Sequence, residues 1–406
     1  MKQAPHLSAS IVAFFGAVLA AVLFVIYASQ FEQKYIHGVA QLDFHEVLKG
    51  NVLQRLAFKQ DDLLVFYGSS EVVLIPNEYQ AYKFFREYPT GFMVFTVANK
   101  GTSMLSMAQD LAALGPNMRG EKFVVSFAPA TVTMGPGGAM NADNYDPNFS
   151  ELHALELAFS SYISWETKQL AATRMLDYPN TLAERPLLKF TLLALSDGSA
   201  LGKVKYYLAW PLGKLQILVI TVQDHYAVWD FIRHQSTEKL TVKRRESEID
   251  WEAKIAEAEQ AQMNRSNSND FGVDNDRWER GAELMKDLPP PGSKDERFKT
   301  NVPIALEWRD MDILLRIATE LGGHPLMLGR PMNVNLWEAL GYSEETQNLY
   351  YEILHEVVDP YGYPVIDFKE YGRDKYFSSD MASHSSPKGW MYINEILDDF
   401  YHDRIR

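Results

Sequence analysis

The stretch Ile11–Ala28, IVAFFGAVLAAVLFVIYA, carries no charge and almost no polarity across its 18 residues. About that many apolar residues let a helix cross the hydrocarbon core of a bilayer, where no water is present to satisfy a stray polar group. Two membrane readings compete: an uncleaved anchor over residues 1–29, or a cleaved leader with Ile26 and Ala28 flanking its cleavage site. The run exceeds the roughly 7–15-residue apolar region of a secretory signal, which favours the anchor. A buried core helix is the third reading, and the run's position at the very N-terminus speaks against it. Lys2 precedes the run while Glu32 and Lys34 follow it. That slight positive bias puts the N-terminus inside and residues 30–406 outside the cytoplasm, as a single-pass protein of the cell membrane.

The remainder is long enough to bury a core without covalent staples. The chain's 406 residues include no cysteine, which excludes disulfide frameworks, Cys-ligated metals and thiol nucleophiles. With 39 Lys+Arg against 53 Asp+Glu the net charge is −14, a poor footing for binding nucleic acid through its phosphates.

Beyond the anchor, short continuous apolar runs alternate with turns and helical stretches. Asp62–Tyr67 (DLLVFY) ends at Gly68-Ser69-Ser70, Phe92–Ala98 (FMVFTVA) at Asn99-Lys100-Gly101, and Phe123–Phe127 (FVVSF) at Ala128-Pro129. Pro325–Leu328 and Pro364–Phe368 supply a fourth and a fifth run. Continuous rather than alternating runs suit strands covered on both faces. The expected fold is α/β: a five-stranded, mostly parallel sheet in an α/β/α sandwich, with its crevice beyond the carboxyl ends of the strands. Residues 141–300 form an insertion between the third and fourth strands, too long to be a loop. Within it Leu152–Met175 and Leu187–Leu195 read as helices. Tyr206–Phe231 reads as a core-facing or interfacial helix, because Pro211, Lys214 and Asp224 argue against a second span. Thr241–Gln262 reads as a charge-rich, solvated helix and Met263–Thr300 as a polar linker.

Three fragments could carry chemistry together. Ser70 sits where a buried strand turns toward a helix, a place for an exposed nucleophile or, more mundanely, for a helix cap. Gly101 ends the next strand and lets backbone approach a ligand, or simply makes a left-handed turn. The last fragment, Asp380-Met381-Ala382-Ser383-His384, puts a carboxylate and an imidazole on one loop. An imidazole takes a serine proton well when a carboxylate fixes its tautomer and steadies its charge. Alone, a loop histidine is usually structural. The joint order Ser, Gly, Asp, His is far more specific than any single member.

On those blocks the chain resembles the SGNH hydrolase superfamily, whose first block is Gly-Asp/Ser-Ser and whose last is Asp-x-x-His. Within it, the chain is similar to the DltD family of D-alanyl transfer in lipoteichoic acid modification. The likeness runs through the apolar N-terminus, GSSE, NFSELHALELAFSSYISWETKQLAATRMLDYP, ELGGHPLMLGRPMNVNLWEALGYS, HSSPKGW and DDFYHD. It implies an extracytoplasmic serine acyl-transfer or esterase-like enzyme. It further implies a membrane-bound O-acyltransferase partner (DltB-like), an acyl carrier protein (DltC-like) and an envelope glycopolymer as acceptor. Carried over, Ser70 is the nucleophile, His384 the general base, and the Ser70 and Gly101 amides the oxyanion hole. Asp380 is the orienter, although three residues separate it from His384 where the family has two; Asp374 and Asp367 are substitutes. After the third strand the family shows a Ser-Pro-Gln-Trp-like segment, and this chain has Ala128-Pro129-Ala130-Thr131, so a polar amide side chain is missing there and the identity of a third oxyanion donor stays open. Asn333, after the fourth strand, either reaches the crevice or caps a turn.

Two alternatives stay open: an O-acetyl esterase or transferase of a surface polysaccharide, and a non-catalytic partner of a membrane acyltransferase. No metal or cofactor is expected. Asp398 and His402 lack further ligands, and Gly135-Pro136-Gly137-Gly138 lacks the lysine of a phosphate loop and reads as a rim. The −14 adds a constraint. A polyanionic acceptor would have to enter over a locally neutral or basic rim.

Overall fold

The computed structural model describes residues 5–405 apart from 43–44, 76, 134–141, 243–245, 282, 284–285 and 287. The Gly135–Gly138 rim therefore lies outside the described residues. Five strands form one sheet in the order β2-β1-β3-β4-β5, and every pair is parallel. They are β1 (Leu63–Gly68), β2 (Met93–Ala98), β3 (Lys122–Phe127), β4 (His324–Gly329) and β5 (Val365–Ile366). Each lies within one or two residues of its expected run. All six β1 residues are buried, as a strand covered on both faces requires. From β1 the chain steps outward to β2 and then returns to the other side of β1 for β3. That reversal opens a crevice at the carboxyl ends of β1 and β3.

Two apolar cores flank the sheet. On one side helices Met104–Leu114, Leu306–Leu321 and Glu344–Val358 pack with the C-terminal part of the first helix. On the other side lie Ala81–Glu87, Trp251–Arg265 and Pro387–Tyr401. The insertion builds a third core from Glu151–Ala158, Trp165–Met175, Pro186–Asp197 and Ala200–Arg233.

The first helix runs unbroken from Pro5 to Val39. Among the described residues it alone is long and apolar enough to cross a membrane. Residues 8–20 are exposed, whereas Ala28, Ile36 and Val39 are buried in the domain.

The insertion departs from expectation in three places. Leu152–Met175 is two helices, broken at Phe159–Ser164, because the Ser164 hydroxyl caps a new start by accepting from the Thr167 N–H. The helix expected from Thr241 begins only at Trp251, where the Asp250 carboxylate accepts from the Ala253 N–H. It is not merely solvated, since Ala258 and Gln262 are fully buried. Among the described residues, the expected linker holds two short helices, Asn275–Gly281 and Asp295–Asn301. It is pinned to the rest, the Asp274 N–H donating to the Ser379 carbonyl at 2.9 Å. Tyr206–Phe231 belongs to one 34-residue helix, Ala200–Arg233, with Pro211 inside it.

Candidate active site

β1 enters the crevice at Gly68, where a Cβ would lie 2.3 Å from Val72 Cγ2 and 2.9 Å from Glu71 Oε1. Only glycine lets the strand pass so tightly into the short helix Ser70–Val73. The turn is held by its own side chains: the Ser69 N–H donates to Glu71 Oε1 at 2.9 Å, and Ser69 Oγ to the Asn99 carbonyl at 3.4 Å. Ser69 is thereby buried, and Ser70, the first helical residue, is half-exposed at the crevice.

The Asn99 carbonyl also accepts from Thr102 Oγ1 at 2.8 Å, so the turns after β1 and β2 share one acceptor. Gly101 has φ +75°, the left-handed conformation its residue type favours, and a Cβ there would meet Asn144 Nδ2 at 2.7 Å. From the insertion, Asn148 Oδ1 accepts from Asn99 Nδ2 at 2.9 Å. Among the described residues neither the Ser70 nor the Gly101 N–H makes a hydrogen bond.

The third fragment is a miniature hairpin. Ser378 and Ser385 form an antiparallel bridge, and the Ser379 N–H donates to the His384 carbonyl at 2.7 Å. Within it Asp380 Oδ2 lies 2.6 Å from His384 Nδ1, while Asp380 Oδ1 accepts the Ala382 and His384 amides at 2.9 and 3.2 Å. The extra residue relative to Asp-x-x-His is absorbed at Ser383, which takes the left-handed region at φ +65°. Burial would raise the Asp380 carboxyl, but the His384 hydrogen bond and charge, with the two amides, hold it below the usual carboxylate range. His384 Nε2 is buried and has no hydrogen-bond partner among the described residues. No hydrogen bond joins Ser70 to His384 in this structure.

The alternative orienters are engaged elsewhere. Asp374 pairs with Lys388 Nζ at 2.6 Å and Asp367 lies 3.3 Å from His355 Nε2. Asn333 is buried and caps the helix Val334–Ala339, Oδ1 accepting from Leu336 and Nδ2 donating to the Phe271 carbonyl at 3.0 Å. Both ends of its amide are occupied. At the departed position after β3, Thr131 Oγ1 turns back to the Ala128 carbonyl at 2.7 Å. Asp398 is bonded to Thr90 and Arg404.

Sequence reasoning missed Arg330, directly after β4. It is fully buried, its Nε donating to Ser126 Oγ and its Nη1 to Ser385 Oγ, each at 2.9 Å. Its guanidinium lies 4.9 Å from the Trp390 ring centroid. Burial pushes it down to about 10, against the opposing charge of Glu71. One cation thus joins β3, at Ser126, to Ser385, the residue after His384. The signal in sequence is only an arginine ending a buried strand, with no acidic neighbour to explain it.

The family model described as DltD protein matches residues 44–402. Protein DltD of Bacillus subtilis (strain 168) is 26% identical over 361 residues, covering 87% of this chain and 86% of that protein. Protein DltD of Staphylococcus aureus (strain NCTC 8325 / PS 47) is 21% identical over 358 residues, covering 86% and 84%. With a match over most of its length and two full-length relatives, the chain belongs to the DltD family.

Proposed function

We propose that this chain is a membrane-anchored, extracytoplasmic serine acyl-transfer enzyme that moves D-alanyl groups onto a polymer of the cell envelope. The observation that carries the reading is the Asp380–His384 pair. Its 2.6 Å contact fixes which ring nitrogen faces the carboxylate and leaves Nε2 free to take a proton. The apolar first helix supports the anchor, and family membership supports the D-alanyl group.

In this reading Ser70 Oγ attacks the carbonyl carbon of an activated acyl donor as His384 Nε2 takes the Oγ proton. The tetrahedral oxyanion is held by the Ser70 and Gly101 amides, neither committed to another acceptor among the described residues. Collapse expels the donor's leaving group, which receives the proton from the imidazolium. An acceptor hydroxyl then loses its proton to His384 and attacks the acyl-serine, forming the product ester and restoring Ser70. The partners in this scheme are a membrane-bound O-acyltransferase and an acyl carrier protein on the donor side, and a glycopolymer as acceptor.

Intact-mass analysis of the full chain, isolated from its own membranes with an acid quench, tests the acyl group. A D-alanyl enzyme carries an adduct of about 71 Da that is absent from Ser70→Ala. An adduct of about 42 Da would replace this reading with the O-acetyl alternative. Full D-alanylation in cells by Ser70→Ala and His384→Ala would support a non-catalytic partner instead.

A further inference from the structure

The helix Ala200–Arg233 holds the domain with a narrow stripe. Gly202, Tyr206, Ala209, Gly213, Ile217, Asp224, Val228 and Ile232 are its buried residues, mostly three to four apart. That stripe explains the packing but not the rest of the surface. Leu201, Val204, Tyr207, Leu208, Leu212, Leu215 and Leu218 lie outside it, with Leu208 exposed to 70% and Leu218 to 61%. Phe190 and Leu193 of the neighbouring helix extend the same apolar surface. Scattered exposed leucines need no explanation, whereas a contiguous face along one helix does.

We propose that this face lies on the outer surface of the bilayer into which the first helix inserts, with its leucines among the lipid and its lysines at anionic headgroups. The inference rests on the anchoring reading given above. Two observations select lipid over a protein occupant. The first is continuity: the C-terminal third of this helix packs against the first helix, Phe24 lying 6.2 Å from Tyr226 and 6.1 Å from Trp229 between ring centroids. The apolar face therefore continues into the exposed surface of the segment that enters the membrane. Tyr207, Trp210, Tyr226 and Trp229 also supply rings of the kind that settle at headgroup depth. The second is charge: in a chain of net −14, residues 200–223 contain Lys203, Lys205 and Lys214 and no acidic residue. A basic, aromatic-bearing apolar helix face is the pattern of an interfacial helix, and its cations complement anionic lipid. Lying there, the insertion would hold the crevice at a fixed height above the bilayer and limit the reach of its substrates.

The absence of cysteine makes the test clean. Single variants Leu208→Cys and Leu215→Cys of the full chain are labelled with bimane. They are reconstituted in vesicles of equal parts phosphatidylcholine and phosphatidylglycerol carrying doxyl-lipid quencher. Phe15→Cys in the first helix reports anchoring, and Glu352→Cys, exposed on Glu344–Val358, reports the aqueous side. Labels at 208 and 215 are expected to lose roughly half or more of their fluorescence, as at 15, while the label at 352 keeps its own. Replacing Lys203, Lys205 and Lys214 by glutamine is expected to weaken quenching at 208 and leave it intact at 15. Quenching at 15 without quenching at 208 and 215 overturns the inference and spares the anchor. No quenching at 15 overturns the anchor and the inference with it. A blue shift at 208 and 215 that grows with protein density, without quenching, shows a second copy on this face and also overturns the lipid assignment.

Discussion

The carboxyl edge of the sheet and the outer face of the Ala200–Arg233 helix break the same rule in opposite senses. At the sheet edge, polar and charged groups are buried: Arg330, Ser126, Ser385, Asp380 and His384 all lie within 8% exposure. On the helix, large apolar side chains stand in the open. Buried polarity is tolerated only where partners answer it, and nearly every group at the edge is answered. His384 Nε2, Arg330 Nη2 and Ser383 Oγ are left over there among the described residues. Exposed apolar surface is tolerated where something covers it in use. In the proposals above, a reacting group answers the first region and a lipid surface covers the second.

The largest expected effect tests the edge. Asp380→Asn keeps an acceptor for the Ala382 and His384 amides but no longer stabilises the imidazolium. Acyl transfer should fall roughly a thousandfold to ten-thousandfold, measured as single-turnover acylation, with the fold intact by circular dichroism. The same pair gives a pH signature. The Asp380 carboxyl is depressed by folding, so its stabilisation is complete above the unfolded value of about 4 and is lost as pH falls through the lower folded value. The stability gap between wild type and Asp380→Asn should therefore close in acid, in urea melts run across that range.

Arg330→Met comes next. It strands the Ser126 and Ser385 hydroxyls inside the protein, a loss of about 1–3 kcal/mol by chemical denaturation. Arg330→Lys keeps the charge without the two-pronged reach. It should recover part of that stability but not the full acylation rate.

A smaller effect belongs to Ser383. Its left-handed backbone favours glycine, so Ser383→Gly should raise stability by about 0.5–1 kcal/mol in the same denaturation assay. The smallest effect sharpens the contrast. Leu215→Gln, on the helix face, should change folding stability by less than about 0.5 kcal/mol in detergent. A cost of several kcal/mol would mean that the face is packed within the protein rather than free to meet lipid.

How much was legible follows from how local each signal is. The first four strands were readable because each is a short apolar run ended by its own Gly, Asn or Pro. The contact between Asp380 and His384 was readable because both fall on one short loop. Arg330 was not, because its partners are 204 and 55 residues away and a terminal arginine looks like surface charge until they close around it. The break at Phe159–Ser164 was hidden for a related reason: no Gly or Pro announces it, and serines that cap helices also occur within them. The expected linker looked polar because its contacts with the His384 hairpin are made by backbone, which composition does not show.

The central claim is that Ser70 is the nucleophile. Its most direct test is labelling of the full-length protein with a serine-directed fluorophosphonate, followed by peptide mapping. A single modified site at Ser70 is expected, lost in Ser70→Ala and slowed in His384→Ala, with both variants folded. Labelling of Ser70→Ala equal to wild type would contradict it.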